Sequence, residues 1–204
     1  ADHQNPHLLD HDAPLSPERS VAYSCGKRGA KMAEYPKRAG AVIVGGGVVG
    51  SSVAYHLTLR GVRDIVLLER KQLTSGTTWH AAGLVGQLRA TQNLTRLAQY
   101  SAQLYAGLEA ETGQATGFKQ VGSLSLATTP ARLEELLRGA SMARSFGLAV
   151  EEITAAEARA MWPLLQADDV VGGVHLPADG QINPVDVTQA LAKGARMRGA
   201  RIFE

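Results

Sequence analysis

The feature that most constrains this chain is a short apolar run over residues 41–44 that leads into a glycine-rich turn and then a helical pattern. Glycines stand at Gly45, Gly47 and Gly50. Gly45 allows a tight turn after a strand, Gly47 leaves the backbone open to a pyrophosphate, and Gly50 lets the helix lie close to the sheet. The first turn of that helix would direct free N–H groups and the positive end of its dipole at the phosphates.

A second strand and an acid complete the unit. Residues 65–68 are all apolar, which is typical of a parallel strand covered on both faces. Glu69 follows, 19 residues after Gly50, where a carboxylate can accept hydrogen bonds from ribose hydroxyls. This order of elements predicts a dinucleotide-binding βαβ unit, and a purely structural glycine turn is the alternative. The predicted contacts are Gly45, Gly47, Val48, Val49, Gly50, Glu69 and Arg70.

Arg70 follows the acid directly. We expect it to face solvent or a phosphate of the dinucleotide rather than a ribose 2′-phosphate, because Glu69 would repel that phosphate.

Composition excludes several classes of partner. The formal net charge is only +2, which gives no indication of nucleic acid or of an anionic membrane surface as a partner. No apolar run approaches the ~20 residues that cross a bilayer. Cys25 is the only cysteine, so no intramolecular disulfide can form, which fits a reducing compartment. We expect a cytoplasmic protein of bacterial type, with the mitochondrial matrix as the alternative, and no metal site.

The two ends of the chain differ from its middle. Residues 1–31 show no periodicity, no apolar signal-peptide core and several acids, and Met32 resembles a natural start. We predict that residues 1–39 are a disordered or non-native leader. Residues 200–204 read as the beginning of a strand, and a doubly wound sheet needs further strands. We therefore expect the chain to be the N-terminal piece of a longer protein.

The remaining elements follow from periodicity and capping signals. We predict a helix over about 91–112 with an inward stripe of Leu94, Leu97, Ser101, Leu104 and Leu108. On the first helix we predict an inward face of Val49, Val53 and Leu57. The other predicted elements are a strand over 121–126, a helix from Thr129 to near Gly147, a short helix after Thr154, a strand over 170–176, a helix from Pro184 to about Arg198 and a strand from 200. Thr129 and Asn183 are the predicted N-caps of their helices, and Thr154 and Glu157 predict a capping box. Gly113 and Gly199 are predicted to end the helices that precede them.

Alternating strands between 115 and 180 do not belong in a parallel sheet, because they expose one face. We predict a nucleotide-binding domain over 40–114, part of an inserted substrate domain over 115–180, and a return to the first domain over 181–204.

A second motif follows the βαβ unit. The segment 73–84, which contains Trp79-His80-Ala81-Ala82-Gly83-Leu84, resembles the flavin-attachment segment of the sarcosine and dimethylglycine dehydrogenases. Further matches lie at 108–113, 122–127, 161–165 and 179–184, and the resemblance spans about 40–204. It implies an α/β fold: a Rossmann-type FAD-binding domain, here with an incomplete parallel sheet, and an interleaved α+β substrate domain.

The resemblance also implies site residues. In that family the histidine at the position of His80 is joined covalently to the 8α-methyl carbon of the flavin. An unprotonated imidazole is a nucleophile that can add to the electrophilic tautomer of that methyl group, whereas a hydrogen bond within the loop is the structural alternative for His80. The further cofactor-binding residues predicted here are Ser75, Gly76, Thr77, Thr78, Ala82, Gly83 and Leu84. Trp79 either walls the flavin or packs in the loop, and Arg89 either attracts a substrate carboxylate or is a surface residue.

The implied reaction is oxidation of the N-methyl group of a small amino acid, of the sarcosine or dimethylglycine type, to an iminium. Electrons would pass to an electron-transfer flavoprotein or to oxygen. Tetrahydrofolate would bind only in a later C-terminal region, and no catalytic base is assigned in this chain. The alternatives are a non-catalytic protein like the pyruvate dehydrogenase phosphatase regulatory subunit, which lacks the attachment histidine, and an amino-acid oxidase with non-covalent FAD.

Overall fold

Three sheets organise residues 35–204, the part of the chain that the computed structural model describes. Of the leader predicted over residues 1–39, residues 1–34 lie outside this part. The first sheet is parallel, with strand order β1-β2-β8: β1 is Ala41–Val44, β2 is Ile65–Leu68 and β8 is Arg201–Phe203. The predicted α/β class with a parallel sheet is confirmed.

Helix α1, Val48–Leu59, connects β1 to β2 and packs against helix α5, Pro184–Met197. Both helices border one core, whose fully buried members include Ala54, Tyr55, Leu67, Leu108, Ala190, Leu191 and Ala195. The caps of α5 are as the sequence predicts: Asn183 Oδ1 accepts from the N–H groups of Val185 and Asp186, and Gly199 follows the helix with φ +94°.

The predicted inward face of α1 is wrong at Val49 and Val53, whereas Leu57 packs against the core as predicted. Val49 is 74% exposed and Val53 is 43% exposed, whereas Ser51, Ala54 and Tyr55 are buried. The reason is that α1 packs on α5 as well as on the sheet, and small residues allow that close approach. At Gly194 of α5, a Cβ would lie 2.8 Å from Tyr55 Cε2.

A hydrogen-bonded triad joins α1, α2 and α5, where α2 is Gln92–Thr112. Tyr55 Oη donates to Glu111 Oε2 at 2.7 Å, and Arg198 Nη2 donates to Glu111 Oε1 at 2.6 Å. Burial, followed by the hydrogen bond to Glu111, raises the pKa of Tyr55 to about 12. Burial would raise the pKa of Glu111, but the hydrogen bonds from Tyr55 and Arg198 outweigh it and the pKa is lowered. The triad therefore favours a neutral tyrosine beside an ionised carboxylate.

Helix α2 has the predicted ends. Thr91 Oγ1 accepts from the Leu94 N–H at the start, and Gly113 takes a left-handed conformation with φ +63° at the end. The predicted apolar stripe is correct only in part, since Leu108 is buried but Leu94 and Leu97 are exposed. The sequence pattern marked a helix correctly but did not show which side meets a partner.

The antiparallel sheet has the order β4-β6-β5. Strand β4 comprises Ser123–Ala127, β5 comprises Glu151–Ile153 and β6 comprises Gly172–Leu176. Helix α3, Pro130–Ser145, packs on it, and helix α4, Ala155–Met161, begins with the predicted capping box of Thr154 and Glu157. The sequence analysis did not identify β5, because only Ile153 of its three residues is buried.

Two short strands were also missed: β3, Leu84–Val85, and β7, Gly180–Gln181, pair antiparallel and form the third sheet. This pairing fixes the loop after the second motif to the segment that precedes α5. The domain boundaries at 115 and 180 stay a prediction. Within residues 35–204 no helix combines the length and apolar character needed to cross a membrane.

Candidate functional site

The glycine turn after β1 is held by contacts that only glycine permits. Gly45 has φ +107°, and a Cβ on Gly50 would lie 1.9 Å from the carbonyl oxygen of Gly45. Gly47 is the N-cap of α1. Within the described residues, the N–H groups of Gly47, Val49 and Gly50 have no acceptor. The turn thus presents unpaired donors at a helix N-terminus, which is a site for an anion.

Glu69 is hydrogen-bonded to this turn. Its Oε2 accepts from the Gly46 N–H at 2.8 Å, and its Oε1 accepts from the Lys71 N–H at 2.9 Å. These hydrogen bonds, that of Gly46 first, lower the pKa of Glu69 below its ordinary value. The carboxylate is therefore ionised and can accept further hydrogen bonds. Arg70 is exposed beside it.

Thr78 joins the two sequence motifs. It lies in a single turn of 3-10 helix, Thr78–His80, and its side chain is buried. The Val48 N–H donates to Thr78 Oγ1 at 3.0 Å, and a Cβ on Gly47 would lie 2.9 Å from the same oxygen. From the sequence, Thr78 is predicted to bind the cofactor. Here its hydroxyl oxygen accepts a hydrogen bond from the first residue of α1.

The residues between these points are mostly exposed. The side chains of Ser75 and Thr77 have no hydrogen-bond partner within residues 35–204, and Gly76 has open space around it. Ala82 is exposed and Leu84 is 80% exposed, whereas Gly83 is buried with φ +76°. A Cβ on Gly83 would lie 2.1 Å from the carbonyl oxygen of Ile182, so glycine is required where the loop crosses the start of α5.

His80 is exposed at the end of the 3-10 turn. Its ring lies 3.9 Å, centroid to centroid, from the ring of Trp79, which is 57% exposed. Neither ring nitrogen of His80 has a hydrogen-bond partner in the described part of the chain. A purely structural histidine would use such a bond, so this geometry leaves the imidazole available for chemistry.

A cleft of about 280 Å³ lies between Val48, which follows the glycine turn, and the second motif. Its lining is largely apolar and comes from α1, the loop after the 3-10 turn, α2 and α5. The lining includes Val48, Thr78, Ala81, Gly83, Leu84, Val85, Gly86, Arg89, Tyr105, Pro184 and Val187. Among the described residues that line the cleft, Arg89 is the only charged one. The cleft can accommodate an elongated, mostly apolar group beside the anion site.

Two buried residues behind the cleft were not identified from the sequence. Asp179 Oδ1 accepts from the Gln87 N–H at 2.8 Å, and Asp179 Oδ2 accepts from Ser123 Oγ at 2.7 Å. Thr95, which is fully buried, accepts from the Arg89 N–H at 3.1 Å. The sequence signal that could have identified Asp179 is its position at the start of the segment 179–184, which carries part of the family resemblance. Thr95 had none.

The site combines unpaired donors for an anion with an apolar cleft beside them. The described residues hold no group of three potential metal ligands. Residues 41–204 match the family model described as FAD dependent oxidoreductase. Among solved structures, L-proline dehydrogenase from P. horikoshii superposes with a TM-score of 0.78 at 29% identity, over 83% of this chain and 45% of that chain. The predicted Rossmann-type FAD-binding fold is confirmed.

Relatives at higher identity fall in the predicted group. Mitochondrial dimethylglycine dehydrogenase of Homo sapiens is 44% identical over 203 residues, which cover 95% of this chain and 23% of the relative. The mitochondrial pyruvate dehydrogenase phosphatase regulatory subunit of Mus musculus is 41% identical over 169 residues, which cover 83% of this chain and 19% of the relative. The chain thus spans about a fifth of the length of these relatives. The predicted resemblance to the sarcosine and dimethylglycine dehydrogenases is confirmed.

Proposed function

The chain belongs to the FAD-dependent oxidoreductase family, and from this premise we propose that it is the FAD-binding part of an amine dehydrogenase or oxidase acting on a small N-methylated amino acid. The observation that carries the proposal is the exposed imidazole of His80, which has no hydrogen-bond partner within residues 35–204. His80 lies in the chain between Thr78 and Ala81, which both line the cleft. The substrate class rests on the relatives, which are named for dimethylglycine and sarcosine.

The residues present fit FAD. The unpaired N–H groups of Gly47, Val49 and Gly50 would bind the pyrophosphate, and no Cβ stands at Gly47 to obstruct it. Glu69, kept ionised by its backbone hydrogen bonds, would accept from the ribose hydroxyls. The apolar cleft would take the ring system and exclude water from it. When bound, FAD would supply the two-electron oxidation that converts an N-methyl amine to an iminium.

His80 is proposed as the covalent attachment residue. The bond would join a ring nitrogen to the 8α-carbon of the flavin with net loss of two hydrogens, which oxygen or another acceptor takes up. Support comes from the ring's exposure and from its lack of a hydrogen-bond partner within residues 35–204. Trp79, whose ring lies against His80, would hold the imidazole in place.

The rest of the reaction is proposed from the family. Electrons would go to an electron-transfer flavoprotein or to oxygen, and any tetrahydrofolate would bind outside this chain. The catalytic base is not assigned to any residue here. The cytoplasm and the mitochondrial matrix both stay open as the compartment, and the human relative is named mitochondrial.

The test uses the natural protein that contains this chain. Wild type, His80→Ala and the control His175→Gln are denatured in acid, and flavin fluorescence is measured in the pellet together with intact mass. His175 lies on β6, where its Nδ1 pairs with Glu151, and it does not line the cleft. We expect flavin in the pellets of wild type and of the control, with the corresponding added mass, and flavin in the supernatant for His80→Ala.

Each other outcome selects a different function. Flavin released from all three proteins would refute the covalent bond and favour an amino-acid oxidase with non-covalent FAD. No flavin in any of them would favour a non-catalytic regulatory protein. This alternative is supported by the 41% identity to the pyruvate dehydrogenase phosphatase regulatory subunit. Turnover of N,N-dimethylglycine or sarcosine, followed as formaldehyde release, tests the substrate class separately.

A further inference from the structure

We propose that Arg89 binds the carboxylate of the amino-acid substrate and thereby makes the site selective for amines that carry one. This inference rests on the proposed function, which it deepens by assigning a substrate-recognition residue. The sequence is compatible with two roles for Arg89, a surface residue or a residue that binds a substrate carboxylate. Three features of its surroundings favour the second role.

The first feature is its charge in an apolar cleft. Arg89 is the only charged residue among those that line the cleft. Within residues 35–204 it forms no ion pair with any acid. Its Nη1 donates to the carbonyl oxygen of Leu88 at 2.9 Å, which uses one of five guanidinium N–H groups. The remaining donors are available, and a planar guanidinium matches a carboxylate with two parallel hydrogen bonds.

The second feature is that the backbone of Arg89 is fixed. Its N–H donates to Thr95 Oγ1 at 3.1 Å, and the same hydroxyl donates back to its carbonyl oxygen at 3.4 Å. Two residues earlier, the Gln87 N–H donates to Asp179 Oδ1 at 2.8 Å. Thr95 and Asp179 are both buried. A surface arginine in solvent does not need a main chain held by two buried residues. An arginine that recognises a substrate does, because its side chain must start from a defined position.

The third feature is that the nearby acid is already engaged. Asp179 accepts at one oxygen from Gln87 and at the other from Ser123, so neither oxygen turns to Arg89. A Cβ on Gly86 would lie 3.5 Å from Arg89 Nη1 and 3.6 Å from Asp179 Oδ2. Glycine at this position therefore leaves space beside the guanidinium. Within residues 35–204 the guanidinium therefore has no ion-pair partner, and it can be reached from the cleft.

The competing role for Arg89 is a contact with the flavin itself, because a cation beside the cleft can also attract a polar edge of the ring. The two roles differ in what a substitution changes. Loss of a substrate contact raises KM for carboxylated substrates alone, whereas loss of a flavin contact changes the rate for every substrate and the flavin spectrum.

The test compares Arg89→Gln, Arg89→Lys and the control Arg96→Gln in the flavin-loaded natural protein. Arg96 is exposed on α2 and does not line the cleft. Substrates are N,N-dimethylglycine and N,N-dimethylaminoethanol, which carries a hydroxymethyl group in place of the carboxylate. A hydrogen bond to a charged group contributes about 1.5–3 kcal/mol, so we expect kcat/KM for dimethylglycine to fall roughly 10- to 100-fold in Arg89→Gln, mainly through KM.

We expect Arg89→Lys to recover part of this loss. We expect kcat/KM for the amine without a carboxylate to be unchanged in the Arg89 variants, and Arg96→Gln to behave as wild type with both substrates. Equal losses for both substrates, or an altered flavin spectrum without ligand, would assign Arg89 to the flavin and overturn the proposal. No loss at all would make Arg89 a surface residue.

A ligand titration keeps the inference separate from the proposed reaction. Methoxyacetate, a carboxylate that cannot be oxidised at nitrogen, is added while the flavin absorption is followed. If the protein oxidises no N-methyl amino acid, the proposed function fails, but weaker methoxyacetate binding in Arg89→Gln than in Arg96→Gln would still support a carboxylate site. Equal binding in the two variants would refute it.

Discussion

Replacing Gly194 with alanine tests how closely α1 and α5 pack. The added Cβ would lie 2.8 Å from Tyr55 Cε2, 2.9 Å from Tyr55 Cδ2 and 3.2 Å from Thr112 Cγ2. The tyrosine ring is 1% exposed, and its hydroxyl is bonded to Glu111 at 2.7 Å. The guanidinium of Arg198 lies 5.2 Å from the ring centroid. The ring therefore cannot move away without loss of the triad or separation of the helices.

Two opposing effects set the magnitude. Glycine to alanine in a helix interior stabilises by about 1 kcal/mol through propensity. Overpacking a filled core costs about 1–3 kcal/mol. We expect Gly194→Ala to destabilise the fold by about 1 kcal/mol net, because two ring atoms and a methyl group must all shift.

The chain supplies a matched control. Gly107 lies inside α2, is exposed, and has no heavy atom within 4 Å of its Cβ position. Gly107→Ala should therefore show only the propensity gain, about 1 kcal/mol of added stability. The difference between the variants, about 2 kcal/mol, isolates the contact, because the propensity gain is common to both.

The assay is urea denaturation of the natural protein and both variants, followed by far-ultraviolet circular dichroism. With equal m-values, a lower midpoint for Gly194→Ala and a higher one for Gly107→Ala are expected. If Gly194→Ala is as stabilising as Gly107→Ala, the helices do not pack as closely as described and the reasoning is wrong.

Two further substitutions test the triad and the junction between the motifs. Tyr55→Phe removes the donor to Glu111 and should cost about 1.5 kcal/mol near neutral pH. The pKa of Tyr55 is about 12 in the folded protein against an ordinary 10.0. Between pH 10 and 12 the tyrosine ionises only in the unfolded chain, so the free energy of unfolding of the wild type should fall over this range. The contribution of Tyr55 to this fall should be absent from Tyr55→Phe. Thr78→Val removes the acceptor of the Val48 N–H and should cost about 1 kcal/mol of unfolding free energy, as for a lost helix cap, whereas Thr78→Ser should retain most of it. Equal stability of the Val and Ser variants would contradict the capping role.

Helix ends were predictable because they depend on local chemistry. Thr91, Thr129 and Asn183 each accept backbone N–H groups two or three residues ahead, and such short-range bonds are visible in sequence. The glycine turn and Glu69 were predictable for the same reason, since their spacing is fixed by one βαβ unit.

Helix faces were less predictable because they depend on a distant partner. The buried side of α1 is determined by α5, which begins at Pro184, more than a hundred residues later in the chain. Nothing around Val49 and Val53 indicates that a glycine at 194 will meet Tyr55. A two-residue strand such as β3 carries no periodicity either, so its pairing with β7 was not expected.

The same distinction separates the two halves of the candidate site. The residues proposed to hold the cofactor lie in two contiguous motifs, and the bond from Val48 to Thr78 joins them directly. The loop that presents Arg89 is instead fixed by Thr95 and Asp179, which come from other elements. Both anchors bind main-chain groups, so the side chain at position 89 can change without loss of the loop's path. On the proposed function, substrate selectivity is therefore the property that this architecture leaves most free to vary, while cofactor binding stays tied to the glycine turn.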